Sequence, residues 1–247
     1  MDYLLFRLYG PFASWGDIAV GESRHTLAAP AKSAVMGLVA AALGVPREQE
    51  AVHQNLNRGY AMASAVYSPG EWLRDYHTVQ APDSVGKFEY RTRRDEIVAG
   101  ADRLGTVLSS RDYLIDTLAC VALKAHDTAP YSLEQIQSAL LEPVFTPYLG
   151  RKACPLAAPM DPQQISATSF QQAFAEYKPR GEVPLPDQKP KTVTFYWEGE
   201  ISDFDDPVQL DTPQLMTLIQ HDQLRSRKRW QFSPRSLHRY RKAVEEA

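Results

Sequence analysis

Leu4-Leu5-Phe6-Arg7-Leu8-Tyr9-Gly10-Pro11-Phe12-Ala13-Ser14-Trp15-Gly16 carries the first reading of the fold. Leu4, Phe6 and Leu8 alternate with Tyr3, Leu5 and Arg7, and a period of two predicts a strand with two usable faces. Gly10-Pro11 is expected to stop that strand and open a loop through Trp15-Gly16. Beyond it, Pro30 precedes an Ala-rich helix expected over residues 31–43, closed by Gly44 with Pro46 just after. A second helix over residues 47–57 runs into Gly59. Residues 60–67 and 72–79 read as two strands joined at Ser68-Pro69-Gly70, and residues 111–124 hold another. Ser132 with Gln135 spells a capping box for a helix over Leu133–Leu141. A helix near residues 170–177, a Pro-rich link over 179–190 and a strand over 192–197 follow. The order β, α, β, β, α, with a further strand afterward, is that of a ferredoxin-like βαββαβ unit with long insertions. Other α+β layouts share it.

Composition excludes several classes. The chain has 247 residues, of which 44% are hydrophobic and 23% charged, an ordinary globular balance rather than a disordered one. The longest apolar run, near residues 34–43, falls well short of the roughly 20 residues a membrane span needs. The chain enters a strand pattern at Tyr3, so no signal peptide is expected. Cys120 and Cys154 are the only cysteines and lie far apart, which fits a reduced, cytoplasmic protein. The net charge of -3 does not announce a nucleic-acid binder. Its distribution says more. Arg225, Arg227, Lys228, Arg229, Arg235, Arg239, Arg241 and Lys242 fall within 18 residues without an acid among them. Glu198, Glu200, Asp203, Asp205, Asp206 and Asp211 lie just upstream. Such a run is either a solvated tail or a phosphate-contacting surface, and Trp230, Phe232 and Tyr240 interleave it.

The search for chemistry returns no metal or cofactor. None of the histidines pairs with another at i,i+4, and neither cysteine has zinc-ligand spacing. GxxxxGK[ST], GxGxxG and GxSxG are all missing. Three segments stand out. Gly10 to Gly16, continuing through Gly21-Glu22-Ser23-Arg24 to Pro30-Ala31-Lys32-Ser33, sets Arg24, Lys32 and Ser33 at a helix start, where free N–H groups favour phosphate. An ordinary capped loop has the same residues. Trp72 to Val79 carries Tyr76 and His77, which suit base stacking or proton transfer, although packing is the commoner use. Thr146-Pro147-Tyr148-Leu149-Gly150-Arg151-Lys152 is a stiff glycine loop with two cations, either a clasp or an exposed turn.

Together these segments resemble the CasD family, the guide-RNA 5′-handle-binding subunits of the type I-E CRISPR complex Cascade. The matching stretches are LLFRLYGPFASWG, GESRHT with PAKSAVMGLVAAALGVPRE, LRDYHTV, SSRDYLIDTLACVAL and FTPYLGRKACPL. They occur in family order over residues 4–156, and no motif is matched over residues 169–247. The resemblance implies an RNA-binding, RAMP-type protein of α+β class: a ferredoxin-like core over 1–160, a thumb at about 80–110, and a C-terminal extension over 161–247 with a basic tail. The thumb, within residues 79–111, contains Gly86, Gly100, Gly105, Lys87, Arg91, Arg93 and Arg94 and fits an extended arm. The resemblance places Arg24, Lys32 and Ser33 near the handle backbone, and Tyr76 and His77 against its bases. Arg111 would sit beside the kink where handle meets spacer. Tyr148, Gly150, Arg151 and Lys152 would form a glycine loop against phosphates. The implied partners are the guide RNA, the Cascade backbone subunits and the large subunit that reads the protospacer-adjacent motif, with target DNA reached indirectly and no membrane. The expectation is a non-catalytic scaffold. The alternatives are a metal-independent endoribonuclease using Tyr76, His77 and a nearby Lys on repeat RNA, and an adaptor whose RNA contact is incidental.

Overall fold

The computed structural model of the protein describes residues 1–19, 21–83, 89–98, 101–181, 183 and 192–244. Gly86, Lys87 and Gly100, and most of the Pro-rich link, lie outside them. The elements are β1 (Asp2–Ala13), β2 (Ser23–Arg24), α1 (Lys32–Ala42), α2 (Glu50–Gly59), β3 (Tyr60–Ser68), β4 (Glu71–Pro82), α3 (Arg93–Val98), β5 (Leu104–Ala125), α4 (Leu133–Leu141), β6 (Gln163–Ser166), α5 (Phe170–Glu176), β7 (Thr192–Trp197), β8 (Leu215–Ser226) and β9 (Gln231–Ala243). One large sheet runs β6-β1-β5-β3-β7-β9-β8 with every neighbouring pair antiparallel.

The period of two in β1 explains why both faces of this sheet are covered. Leu4, Phe6 and Leu8 pack with Val35 and Val39 of α1, Leu56 of α2, and Ile136 and Leu140 of α4. Tyr3 and Leu5 face the other way, with Phe170 and Phe174 of α5, Phe195 and Trp197 of β7, and Phe204. Arg7 shares that second face yet is buried, because its guanidinium donates to the carbonyls of Pro159, Arg180 and Gly181. The expected stop at Gly10-Pro11 does not occur. Pairing with β5 continues past Pro11 to Ala13, and β6 covers only residues 2–5 of β1. Pro11 therefore sits beyond β6, where a missing N–H breaks no ladder.

Helix ends follow local chemistry. Gly44 takes φ +74° just past α1, and the Ser132–Gln135 capping box forms in full. By contrast, β3 and β4 do not pair with each other. They lie end to end along the 22-residue β5, with Ser68 opposite Leu118 and Glu71 opposite Ile115. Gly70 makes the bend at φ +73°, and a Cβ there would stand 2.4 Å from the Ile115 carbonyl oxygen. Beyond it, β4 and the first half of β5 leave the core as a largely exposed two-stranded arm. Among the described residues, 80–83 and 101–110 form its far part, with α3 near the tip.

The basic segment is no tail. It forms the end of β8, the turn after it and β9, and its anchor is buried. Arg235 donates to both carboxylate oxygens of Asp222, at 2.9 and 2.8 Å. Lys32 donates to Glu198 at 2.6 Å and to the Tyr60 carbonyl at 2.8 Å, while Arg235 reaches the second Glu198 oxygen at 3.5 Å. Asp222 also accepts the Lys32 backbone N–H at 2.7 Å, so it caps the first turn of α1. Burial, partly offset by the Glu198 charge, holds the Lys32 ammonium below its usual range. Removing one partner from such a network leaves the others uncompensated. Lys32→Met is therefore expected to lower stability by about 3 kcal/mol, measured as a drop in urea midpoint at unchanged slope. An unchanged midpoint would show that the ammonium contributes nothing to the fold.

Candidate nucleic-acid interface

Asp112 ties the site together, and the sequence gives it no prominence. Its side chain is buried on β5 at the base of the arm. Arg74 of β4 donates to its two oxygens at 2.7 and 3.1 Å, and His25 Nδ1 lies 2.9 Å from the second. The Asp112 carbonyl accepts Ser14 Oγ–H at 2.9 Å and Arg151 at 3.2 Å. One residue thus joins the arm, the Trp15 loop, the β2 strand and the glycine loop. The Arg74 hydrogen bonds, opposed by burial and reinforced by His25, pull its carboxyl down to about 2.

The glycine loop closes on itself through a bridge between Tyr148 and Pro155. Its backbone docks on the Trp15 loop, where the Leu149 carbonyl accepts the Ser14 N–H at 3.0 Å. Gly150 sits at φ +84°, and a Cβ there would lie 1.8 Å from the Ser14 carbonyl oxygen. The glycine thus makes room for this chain's own backbone. Arg151 is held by the Asp112 carbonyl, by the Arg24 carbonyl at 2.9 Å and by the Tyr113 ring at 4.9 Å.

Between these loops, α1 and the β8–β9 turn opens a cleft of about 1170 Å³. Of the residues expected at a site, it gathers Arg24, Ser33, Tyr148, Gly150 and Arg151. It adds His25, Arg225, Arg227, Trp230 and Phe232, which sequence reasoning left in other roles or unassigned. For the last four the signal was the basic run with its aromatics, open to a phosphate-contacting reading, while His25 stood in the GESRHT stretch with no role. Nothing local says that β8 crosses the start of α1. Trp15 also lines the cleft, and its buried indole N–H has no acceptor among the described residues. Such a donor is costly unless a water or ligand meets it.

The remaining expected residues lie elsewhere. Lys32 points into the core and is 3% exposed, so the expectation of a backbone contact is corrected: its charge is already matched by Glu198. Nor is the first turn of α1 open to phosphate, since Asp222 caps it. Tyr76 and His77 are exposed neighbours on β4, so their side chains leave opposite faces of the arm. Arg111 is exposed at the base of the arm, opposite Asp75 and beside Arg24. Arg91, Arg93 and Arg94 lie near the tip, where Arg93 pairs with Glu96. At about 3.3 Å per residue, the tip end of β5 stands roughly 25 Å from Asp112. Lys152 is exposed on the glycine loop. Among the described residues no cluster of three His, Cys, Asp or Glu could hold a metal, and no helix is long and apolar enough to cross a membrane.

A sheet-based protein with a cation- and aromatic-lined cleft has the parts of a single-stranded nucleic-acid binder, and comparison with known proteins gives the family. Residues 3–238 match the family described as CRISPR-associated protein (Cas_Cas5), and the chain belongs to it. It is 32% identical over 190 residues to the CRISPR system Cascade subunit CasD of Escherichia coli (strain K12), covering 73% of this chain and 79% of that one. Among solved structures, it superposes on a chain of a CRISPR RNA-guided surveillance complex with a TM-score of 0.67 at 23% identity, covering 98% of this chain and 90% of that one. A crystal structure described as a Cas protein matches with a TM-score of 0.56 at 23% identity, covering 98% and 94%.

The Asp112 cluster makes a pH prediction. A depressed carboxyl stabilises the fold fully above its ordinary value near 4, and that contribution is lost as pH falls through about 2. Asp112→Asn is expected to cost about 1–2 kcal/mol near neutrality, after discounting for solvent at the exposed Arg74 guanidinium. The gap between variant and wild type should close as pH is lowered from about 4 to about 2, read from melting curves. A constant gap across that window would show that Arg74 and His25 do not act through the Asp112 charge.

Proposed function

We propose that the protein is a non-catalytic guide-RNA-binding subunit of a type I-E Cascade surveillance complex, acting in the cytoplasm. It would grip the 5′ handle of the CRISPR RNA, contact the backbone subunits and seat the large subunit that reads the protospacer-adjacent motif. Target DNA would be met only through the assembly. The observation that carries this reading is the cleft. Arg24, Arg151, Arg225 and Arg227 converge there beside Tyr148, Trp230 and Phe232, and cations with aromatic faces are what an unpaired RNA end requires. The unsatisfied Trp15 indole N–H adds a donor for a base or phosphate oxygen. The 32% identity to a Cascade subunit supports the same assembly.

The core strands support a ferredoxin-like assignment. Taken in chain order as β1, β3, β5 and β6, they stand in the sheet as β6-β1-β5-β3. The helices between them pack on a common face, the arrangement of a βαββαβ unit. The arm corresponds in this reading to the thumb, with Arg111 at its base.

The endoribonuclease alternative needs Tyr76, His77 and a lysine at one ribose. Neighbouring strand residues face opposite ways, and Lys32 is buried against Glu198, so the geometry favours the scaffold. Incubating the protein with repeat RNA in chelator is expected to leave the RNA intact, while handle RNA binds the same preparation. The double variant Arg24→Gln/Arg225→Gln should bind it about 10-fold or more weakly. A specific product that disappears in His77→Ala would overturn the scaffold reading in favour of the nuclease.

A further inference from the structure

At the turn between β8 and β9, Arg227 meets Arg47 of the loop before α2 across the Trp230 ring. The guanidinium centres of Arg47 and Arg227 lie 4.4 and 4.5 Å from the centroid of the Trp230 ring. Among the described residues neither guanidinium forms an ion pair within 4 Å, and Arg227 Nε is buried without an acceptor. Glu50 lies beside the turn, and its oxygens are taken by other donors. One accepts the Arg227 N–H at 2.9 Å and Gln54 at 3.2 Å, and the other accepts the Lys228 N–H at 2.9 Å. Glu50 therefore spends its hydrogen bonds on the turn, and its charge reaches Arg227 without a direct ion pair. Arg227 also reaches across the cleft floor, with Nη2 4.0 Å from where a Cβ on Gly37 would stand. Burial first, and then the charge of Arg47, hold its guanidinium below its usual range.

Two like charges held over one indole repel each other, and a multi-oxygen anion between their free N–H groups removes that cost. We propose that Arg47 and Arg227, spaced by Trp230, form a phosphate site that takes one phosphodiester group of a single-stranded RNA lying in the cleft. The ligand is a polymer rather than a free anion because Arg227 and Trp230 line about 1170 Å³ of continuous cleft, with Arg47 flanking it on the Trp230 ring. Inorganic phosphate would leave most of that volume, and the Tyr148 and Phe232 rings, without a ligand. Glu50 is the positioning residue, since it sets the backbone from which Arg227 and Trp230 project. The site rests on the reading of the cleft as a guide-RNA interface.

The test titrates the full-length protein with a labelled single-stranded RNA of handle sequence between about 50 and about 200 mM salt. Arg47→Gln/Arg227→Gln is expected to weaken binding about 10-fold or more and to flatten the salt dependence by about 0.7 in log–log slope, the value for one phosphate. Arg47→Lys/Arg227→Lys keeps the charge and should keep the slope. Arg24→Gln/Arg225→Gln reports separately on the rest of the cleft. Should it weaken binding while the Arg47/Arg227 variant matches wild type, the phosphate site is wrong and the cleft reading stands. If neither variant changes affinity, the cleft reading fails as well. A single-stranded DNA of the same sequence should lose the same slope in the Arg47/Arg227 variant, and a loss confined to RNA would replace phosphate by ribose as the contact. An unchanged slope with lost co-purification of the other complex subunits would assign the pair to an acidic protein surface and overturn the proposal. Arg47→Gln alone, on an exposed loop, carries the test if the double variant does not fold, with weaker binding and a slope change no larger than about 0.7 expected.

Discussion

The cleft exists because two acids and two cations from distant parts of the sequence are buried together beside it. Lys32, Glu198, Arg235 and Asp222 come from the start of α1, the end of β7, β9 and β8. Their hydrogen bonds close the network in both directions. Desolvating four charges is expensive, and it is tolerable because each carboxylate accepts more than one donor. In consequence the C-terminal hairpin lies across the first turn of α1 and forms a wall of the cleft. The same contact decides how an anion can be held there. With Asp222 seated on the Lys32 N–H, phosphate must be met by side-chain cations rather than by the helix terminus.

Asp112 plays a parallel part on the opposite wall. The two clusters differ in exposure, and that difference separates their roles. The Lys32 cluster is enclosed, so its charges serve packing and register. At Asp112 the carboxylate is buried, but Arg74 and His25 reach it from solvent, with side chains 63% and 49% exposed. Their remaining donors stay turned toward solvent at the rim. A buried anion that orients exposed donors is a positioning device: it fixes where the Arg74 charge and the His25 ring are presented without removing them from the surface.

Which features were legible in the sequence follows from how local their causes are. The two faces of β1, the Gly44 stop and the Ser132–Gln135 cap all depend on residues within a turn or two, and each could be read directly. Pro11 was misread because a proline is compatible with a strand wherever its neighbour is absent, and that absence is a property of the sheet. Lys32 looked like a phosphate ligand at a helix start. Its partner Glu198 lies 166 residues away, beyond any pattern in a window. The basic run was visible as charge, whereas its strand pairing and the Asp222 anchor are non-local. The segments of the resemblance did converge around one cleft, apart from Lys32 and the arm residues. Trp230 and Phe232 came from the region in which no motif had been matched.

The division of cations between the cleft and the arm tip has a physical consequence for any strand that meets both. Roughly 25 Å separates the two groups along the strand rise, while the Debye length at physiological ionic strength is about 8 Å. The groups therefore do not feel each other through solvent, and neither raises the other's local anion concentration. A strand that meets both must do so by covalent continuity of its backbone. The rigidity of the β4–β5 ladder then matters more than its charge, because it fixes the span that the backbone must cross. Sites this far apart with no shared partners contribute nearly additively to binding. For such a strand the arm thus sets length and register, and the cleft sets the cation and aromatic chemistry that it meets.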